Sequence, residues 1–262
     1  MTSAGRIHLD VEDGIAGVVI DNPGKRNALT SPMRGNLLAA LKRADEEPAV
    51  RVITITGEGD SFCAGGDINV LKDLKSNDDE EGFIKLLDDG KSIVGLLRKS
   101  MKPTIAVVNG PAFGAGFFIA LACDFRLCGQ SASFGAPFVK LGLGPDWGGT
   151  YLLPRLVGSA KALEMLFTGE GIDADEALRI GLANRAWPDA DLKPKSMAIA
   201  RQLASYPAAV LARHKHAIHA TWDQSFDETA DLERRLQLMN FRSPDCAEGI
   251  AAFLEKRPPD FS

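Results

Sequence analysis

Cysteine is scarce in this chain of 262 residues, which has four. Cys63, Cys123, Cys128 and Cys246 match no zinc or redox spacing, and three lie in apolar segments. That argues against a disulfide framework and for buried free thiols in a reducing compartment. Positive charge is in deficit too. Thirty Lys and Arg face 35 Asp and Glu, for a net charge of −5 and a pI of about 5.5. A nucleic-acid binder usually carries a basic face, so no nucleic-acid partner is expected. An anionic small ligand needs only a few local Lys or Arg. Apolar runs long enough to span a membrane are lacking. Residues 105–123 come nearest, but Asn109, Gly110 and Pro111 break them, which fits a buried strand, a turn and a buried helix. Residues 1–9 have no apolar core, so no secretory leader and a cytoplasmic protein are expected. There is no fixed-period repeat and no low-complexity linker. What remains, 45% hydrophobic and 25% charged, is ordinary for a globular protein.

Short β-branched runs at 17–21, 51–56, 104–108 and 123–128 each reach a turn rich in Gly, Pro or Asn and predict strands. Helical patterns alternate with them at 31–46, 83–98 and 114–122. The first opens on Ser31 with Pro32 in its first turn. The last is apolar all round and should be buried. This alternation predicts an α/β architecture with largely parallel strands over residues 1–190. From 191 to 262 strand signals stop. Helices are expected at 192–205, 207–222, 226–239 and 244–256, covering the core, a neighbouring subunit, or both. The acidic run 77–81 is expected to be a solvated loop or a helix start.

Two small-residue loops follow strands. One holds Phe62, Cys63, Ala64, Gly65, Gly66, Asp67 and Ile68, and the other Phe113, Gly114, Ala115 and Gly116. Ligands of parallel sheets sit at such strand ends. If the strands are neighbours, two backbone N–H groups can converge on one oxygen. The alternative is that the glycines serve only close packing. Neither loop reads as a dinucleotide fingerprint. About thirty residues on, Asp146 stands between Pro145 and Trp147. A carboxylate among apolar neighbours is a candidate proton carrier with a raised pKa. Equally, the segment Pro-Asp-Trp-Gly-Gly can cap a helix running toward Leu156.

Several motifs agree on one resemblance. They are N-P-x-K-R-N-A-L at 22–29, F-C-A-G-G-D-I at 62–68, N-G-x-A-x-G-A-G at 109–116, G-L-G-P-D-W-G-G-T at 142–150 and S-P-D-x-x-E-G-I-x-A-F-L-E-K-R at 243–257. Together they resemble the enoyl-CoA hydratase/isomerase (crotonase) family over nearly the whole chain. The resemblance implies the crotonase (ClpP-like) fold of repeated ββα units with a helical C-terminal region. It implies acyl-CoA thioester substrates, CoA arriving as part of the substrate, and a homotrimer or dimer of trimers. No metal or other cofactor is implied. By position, the oxyanion donors would be the backbone N–H groups of Ala64 and Ala115. Lys25, Arg26 and Ala28 would lie by the CoA adenine and phosphates. Gly65, Asp67, Ile68 and Gly114 would border the ligand, with Asp67 also placed to cap a helix at Ile68.

Departures from the family pattern narrow the chemistry. Its hydratases use two glutamates to activate water, and those positions here are Phe118 and Phe138. A phenyl ring takes no proton, and losing one catalytic base costs a factor of about 10² to 10⁴. Phe118, Phe138 and Trp147 are therefore expected to line a dry acyl pocket, with core packing as the simpler role. The segment around Asp146 resembles isomerases of the phenylacetate pathway, where an aspartate moves a proton. The same place holds a nucleophilic aspartate in the family's aromatic-CoA dehalogenases. An isomerase that shifts a β,γ double bond to α,β, with Asp146 as shuttle, is the expectation. Hydratase, hydrolase, dehalogenase and a non-catalytic acyl-CoA binder are the alternatives. His214, His216 and His219 share one expected helix without an acidic partner nearby, which fits a surface cluster better than a metal site. Glu164 lies on a helical pattern and has no required role.

Overall fold

The computed structural model describes residues 5–261. Strands β1 (Arg6–Glu12) and β2 (Ile15–Asp21) form an antiparallel hairpin. Its two-residue turn, Asp13-Gly14, has φ of 50° and 74°. Both central residues of a type I′ turn need positive φ, which Asp-Gly supplies cheaply. Helix α1 (Ser31–Glu46) then crosses to β3 (Val52–Gly57). Helices α2 (Ile68–Ser76) and α3 (Glu80–Lys99) lead to β4 (Thr104–Val108). The short β5 (Ala112–Phe113) and the buried α4 (Ala115–Ala122) follow, then β6 (Phe125–Gly129), β7 (Ser133–Gly135) and a 3-10 turn at Pro137–Leu141. Helix α5 (Gly149–Thr168), β8 (Ile172–Asp173), α6 (Ala174–Arg179) and β9 (Arg185–Trp187) complete the strand-bearing part. The tail holds α7 (Asp189–Ala204), α8 (Ala208–Ala220), α9 (Phe226–Phe241) and α10 (Pro244–Glu255).

The main sheet has the order β1-β2-β3-β4-β6-β9, parallel from β2 onward. A second sheet, β5-β7-β8, stands beside it. Units β1-β2-α1, β4-β5-α4 and β6-β7-α5 repeat a two-strand-and-helix plan. In the unit that begins with β3, Cys63, bridged to Ala112, takes the place of a second strand. Strands β3 and β4 are buried on both faces, as parallel strands between two layers must be. Ile53, Ile55, Ala106 and Val108 pack with α1, α3 and α4. The alternate residues Val52, Ile105, Val107 and Leu127 pack with Leu192 and Ala200 of α7. The first helix of the tail is thus the second covering layer of the sheet.

Several element ends differ from the sequence expectation by a few residues, and two of the differences have a hydrogen-bonded cause. The strand expected at 123–128 begins at Phe125. The Asp124 carboxylate accepts from Thr104 N–H and Oγ1 at 2.8 and 2.9 Å and pairs with Lys215 at 2.9 Å, which draws 123–124 out of the ladder. Helix α3 starts three residues early because Asp79 accepts from Gly82 N–H. All four cysteines are free. No described helix is long and apolar enough to cross a membrane.

Candidate active site

The loop after β3 is stitched to both sides. Phe62 and Cys63 N–H donate to the Pro111 carbonyl, each at 3.1 Å, and Phe113 N–H donates to the Cys63 carbonyl at 2.9 Å. On the other side Leu29 N–H donates to the Gly65 carbonyl at 2.7 Å, and Asp67 N–H to the Leu29 carbonyl at 3.2 Å. The two small-residue loops therefore lie against each other. A Cβ built on Gly65, whose φ is 101°, would stand 3.3 Å from Ala115 N.

This stitching corrects one expected donor. Ala64 N–H is committed to the Arg26 carbonyl at 2.9 Å, so it cannot serve a ligand. Gly66 N–H has no partner among the described residues. A trans peptide points its N–H opposite to its C=O. Because Leu29 holds the Gly65 carbonyl, the Gly66 N–H of the same peptide points away from Leu29. Ala115 N–H, in the first turn of α4, is likewise unpaired within the described residues. Gly66 and Ala115 both line a cavity of about 110 Å³. Two free N–H groups, one of a loop and one at the N-terminus of α4, make a place for developing negative charge.

Asp146 lines the same cavity. It does not cap α5: the N-cap is Gly148, in a left-handed conformation, and no side chain caps this helix. The Asp146 main-chain carbonyl accepts from Gly149 N–H at 2.8 Å instead. Its Oδ1 is buried with no partner. Burial pushes the carboxyl up from 3.8 to about 6, against a smaller lowering by its own backbone N–H. A carboxyl of that kind can gain and lose a proton near neutral pH.

Trp147 sets where this carboxyl stands. Its φ is 46°, which a bulky side chain adopts only when its surroundings enforce it. The indole is 4% exposed. It rests on Gly90 of α3, where a Cβ would overlap the indole ring. Gly90→Ala should lower stability by about 1 to 3 kcal/mol and turnover by about 10²-fold through displacement of Asp146. Gly95→Ala, on the same helix with open space around it, should instead gain about 0.5 to 1 kcal/mol. Urea unfolding of the two variants, alongside turnover, checks this. Equal behaviour would show that the indole contact does nothing.

The remaining expectations divide. Ala64, Gly65, Ile68, Gly114, Ala115, Phe138, Asp146 and Trp147 border the cavity. Phe118 does not. It is fully buried, stacked on Phe138 at 5.5 Å and on Phe117 at 5.6 Å, so it backs the wall instead of forming it. Lys25 is held by Asp67 at 2.6 Å, and Asp67 also caps α2 through Asn69 N–H. The Lys25 ammonium is the main reason the Asp67 carboxyl lies below the usual range. Arg26 borders a different depression, beside Asn22 and Glu58, and Ala28 is buried. Glu164 is exposed and pairs with Lys161 at 2.8 Å. His214, His216 and His219 lie on α8 and border other hollows. Sequence reasoning missed Arg34, Leu71, Phe83 and Leu86 as lining residues. The sequence carries no signal for the last three beyond helical spacing. The cavity continues into a wider groove of about 580 Å³ that shares Ile68, Leu71, Phe83, Leu141 and Leu143.

An α/β scaffold of repeated strand-strand-helix units, with one cavity lined by two loops whose amides are free and by a half-buried carboxyl, is the crotonase fold with an enzyme's site. The family model described as enoyl-CoA hydratase/isomerase matches residues 10–262, and the chain belongs to that family. A protein of Rhodobacter capsulatus named a probable enoyl-CoA hydratase is 40% identical over 98% of this chain and 97% of its own. The 1,2-epoxyphenylacetyl-CoA isomerase of Escherichia coli is 36% identical over 96% of both chains. The crystal structure of an enoyl-CoA hydratase from Polaromonas sp. superposes with a TM-score of 0.93 at 33% identity, covering 97% of this chain and 98% of that one.

Proposed function

We propose that this enzyme isomerises unsaturated acyl-CoA thioesters, moving a β,γ double bond into conjugation with the thioester. One observation carries the proposal. A single carboxyl with raised proton affinity faces an apolar cavity that also holds the free N–H groups of Gly66 and Ala115, and both glutamate positions of the hydratases are phenylalanine. Asp146 takes the proton beside the thioester carbonyl. The electron pair moves onto the carbonyl oxygen, which the two N–H groups hold as a dienolate, each donor being worth about 3 kcal/mol. The pair returns, the double bond shifts, and Asp146 gives the same proton back two carbons further along. Atoms and charge balance without another reactant, and CoA enters only with the substrate. Phe138, Trp147 and Leu86 keep water from quenching the intermediate. The similarity to the epoxyphenylacetyl-CoA isomerase supports this reading.

Hydration is the second reading, favoured by relatives named as hydratases. Incubating matched β,γ- and α,β-unsaturated acyl-CoAs in deuterated water separates the two. Isomerisation gives the conjugated thioester with little hydroxyacyl product and, because Asp146 returns the substrate's own proton, little solvent deuterium at the reacting carbons. Brisk addition of water to a crotonyl-type thioester would overturn the isomerase. For assembly, the exposed Phe226, Phe241, Phe253 and Leu254 of α9 and α10 support a trimer or a pair of trimers that covers them.

A further inference from the structure

Arg34 is the other ionisable group bordering the acyl cavity, and the mechanism above does not use it. It lies on α1 and is 4% exposed. Its Nε donates to Asp89 Oδ2 at 3.2 Å, and its Nη2 to Ser31 Oγ at 3.2 Å. Asp89 also pairs with the exposed Lys85, at 3.1 Å. Nη1 is buried and has no partner among the described residues. A guanidinium offers five N–H donors in a fixed fork. With Nε held by Asp89 of α3 and Nη2 by Ser31, Nη1 is the nitrogen left without an acceptor. An ionised donor buried without an acceptor is costly. Of the other side chains lining the cavity only Asp146 offers an acceptor, and no hydrogen bond or ion pair joins it to Arg34 among the described residues. A hydrocarbon chain bound there would complete its desolvation and return nothing.

We infer that the acyl group this enzyme takes carries a hydrogen-bond-accepting oxygen away from the thioester, and that Arg34 Nη1 is its donor. The inference rests on the acyl-CoA reading of the cavity. A carboxylate, a ketone and a ring oxygen share the required chemistry. Of these, a carboxylate makes the stronger, charge-assisted bond. Arg34 is therefore a specificity determinant: it touches the substrate but moves no proton.

The test uses three acyl-CoAs of equal carbon number: a plain enoyl chain, the same chain with a distal ketone or ring oxygen, and the same chain with a terminal carboxylate. For the unaltered enzyme, at least one oxygenated thioester should exceed the plain chain in kcat/KM by about 10- to 100-fold. Which of the two leads tells whether the acceptor is neutral or anionic. In Arg34→Met/Asp89→Leu, which removes the donor without stranding its carboxylate partner, that ratio should fall to about one. Equal kcat/KM for all three thioesters with the unaltered enzyme would overturn the inference, a resident water then serving Nη1. So would a preference that survives in the double variant. Both results leave the isomerase standing. Failure of every thioester to bind would sink the acyl-CoA reading itself. The comparison on the unaltered enzyme decides even if the double variant does not fold.

Discussion

Asp146→Asn should lower double-bond migration by about 10² to 10⁴-fold while acyl-CoA binding persists. The amide keeps the shape and volume of the carboxyl but accepts no proton at working pH. In the unaltered enzyme kcat/KM should rise with pH through about 6 and level off above it, because the ionised carboxylate is the base and burial sets its pKa there. The variant's residual rate should lose that limb. Stability moves the other way. The native carboxyl holds its proton up to about 6, whereas an unfolded chain releases it near 3.8. Its contribution to stability is therefore complete below the unfolded value and is lost as pH rises through the native one. At pH 7 the native state must keep a half-buried charge, one oxygen of which has no partner. Removing that charge should stabilise Asp146→Asn by about 1 to 2 kcal/mol at pH 7, and by almost nothing at pH 3.5. Urea unfolding at the two pH values, with stopped-flow turnover across the range, checks both halves. A variant that isomerises at full rate would leave the carboxyl without its role.

Gly116→Ala should cost about 10² to 10³ in kcat, the loss expected for one oxyanion donor. Gly116 lies in the first turn of α4, where a Cβ would run into the carbonyl of Cys63 and within 2.6 Å of its Cβ. That carbonyl is fixed by Phe113 N–H, and Cys63 N–H by Pro111, so backbone and not a flexible tip has to yield. Pushing Cys63 outward moves the same loop that brings Gly66 to the cavity Ala115 also lines. Overpacking of this kind costs about 1 to 3 kcal/mol, partly offset by the gain of about 1 kcal/mol that alanine brings to a helix. The activity loss should therefore exceed what global destabilisation explains. Gly35→Ala, on α1 with nothing near its Cβ, should keep full activity. Thermal melts beside turnover separate the two effects. Normal kcat in Gly116→Ala would mean that the two loops do not act together.

Much of this molecule was legible from local pattern. The buried strands 104–108 and 51–56, the apolar helix α4 and the capped α2 follow from periodicity, small-residue turns and Asp67 at the cap position. The missed hairpin strand β1 had its signal in Asp13-Gly14, a two-residue turn between alternating segments. The candidate site was legible only in part. Asp146 stood out because a lone carboxylate among Pro, Trp and Gly is chemically conspicuous. The motif places Ala64 as a donor, yet the direction of its N–H depends on Arg26, 38 positions earlier, and that pairing is tertiary. Phe118 and Phe138 looked equivalent in sequence, but one stacks behind the other. Arg34 has no signal of its own within the helical pattern 31–46, and its place is fixed when α3 brings Asp89 against it.

Composition, turn chemistry and hydrophobic period by themselves determined which segments became strands and helices, because those choices are made by each residue with its near neighbours. Which amide stays free, which ring faces the cavity and which cation is left one acceptor short were decided only when distant segments met. Hydrogen bonds saturate, and the chain does not declare in advance which partner will take each donor.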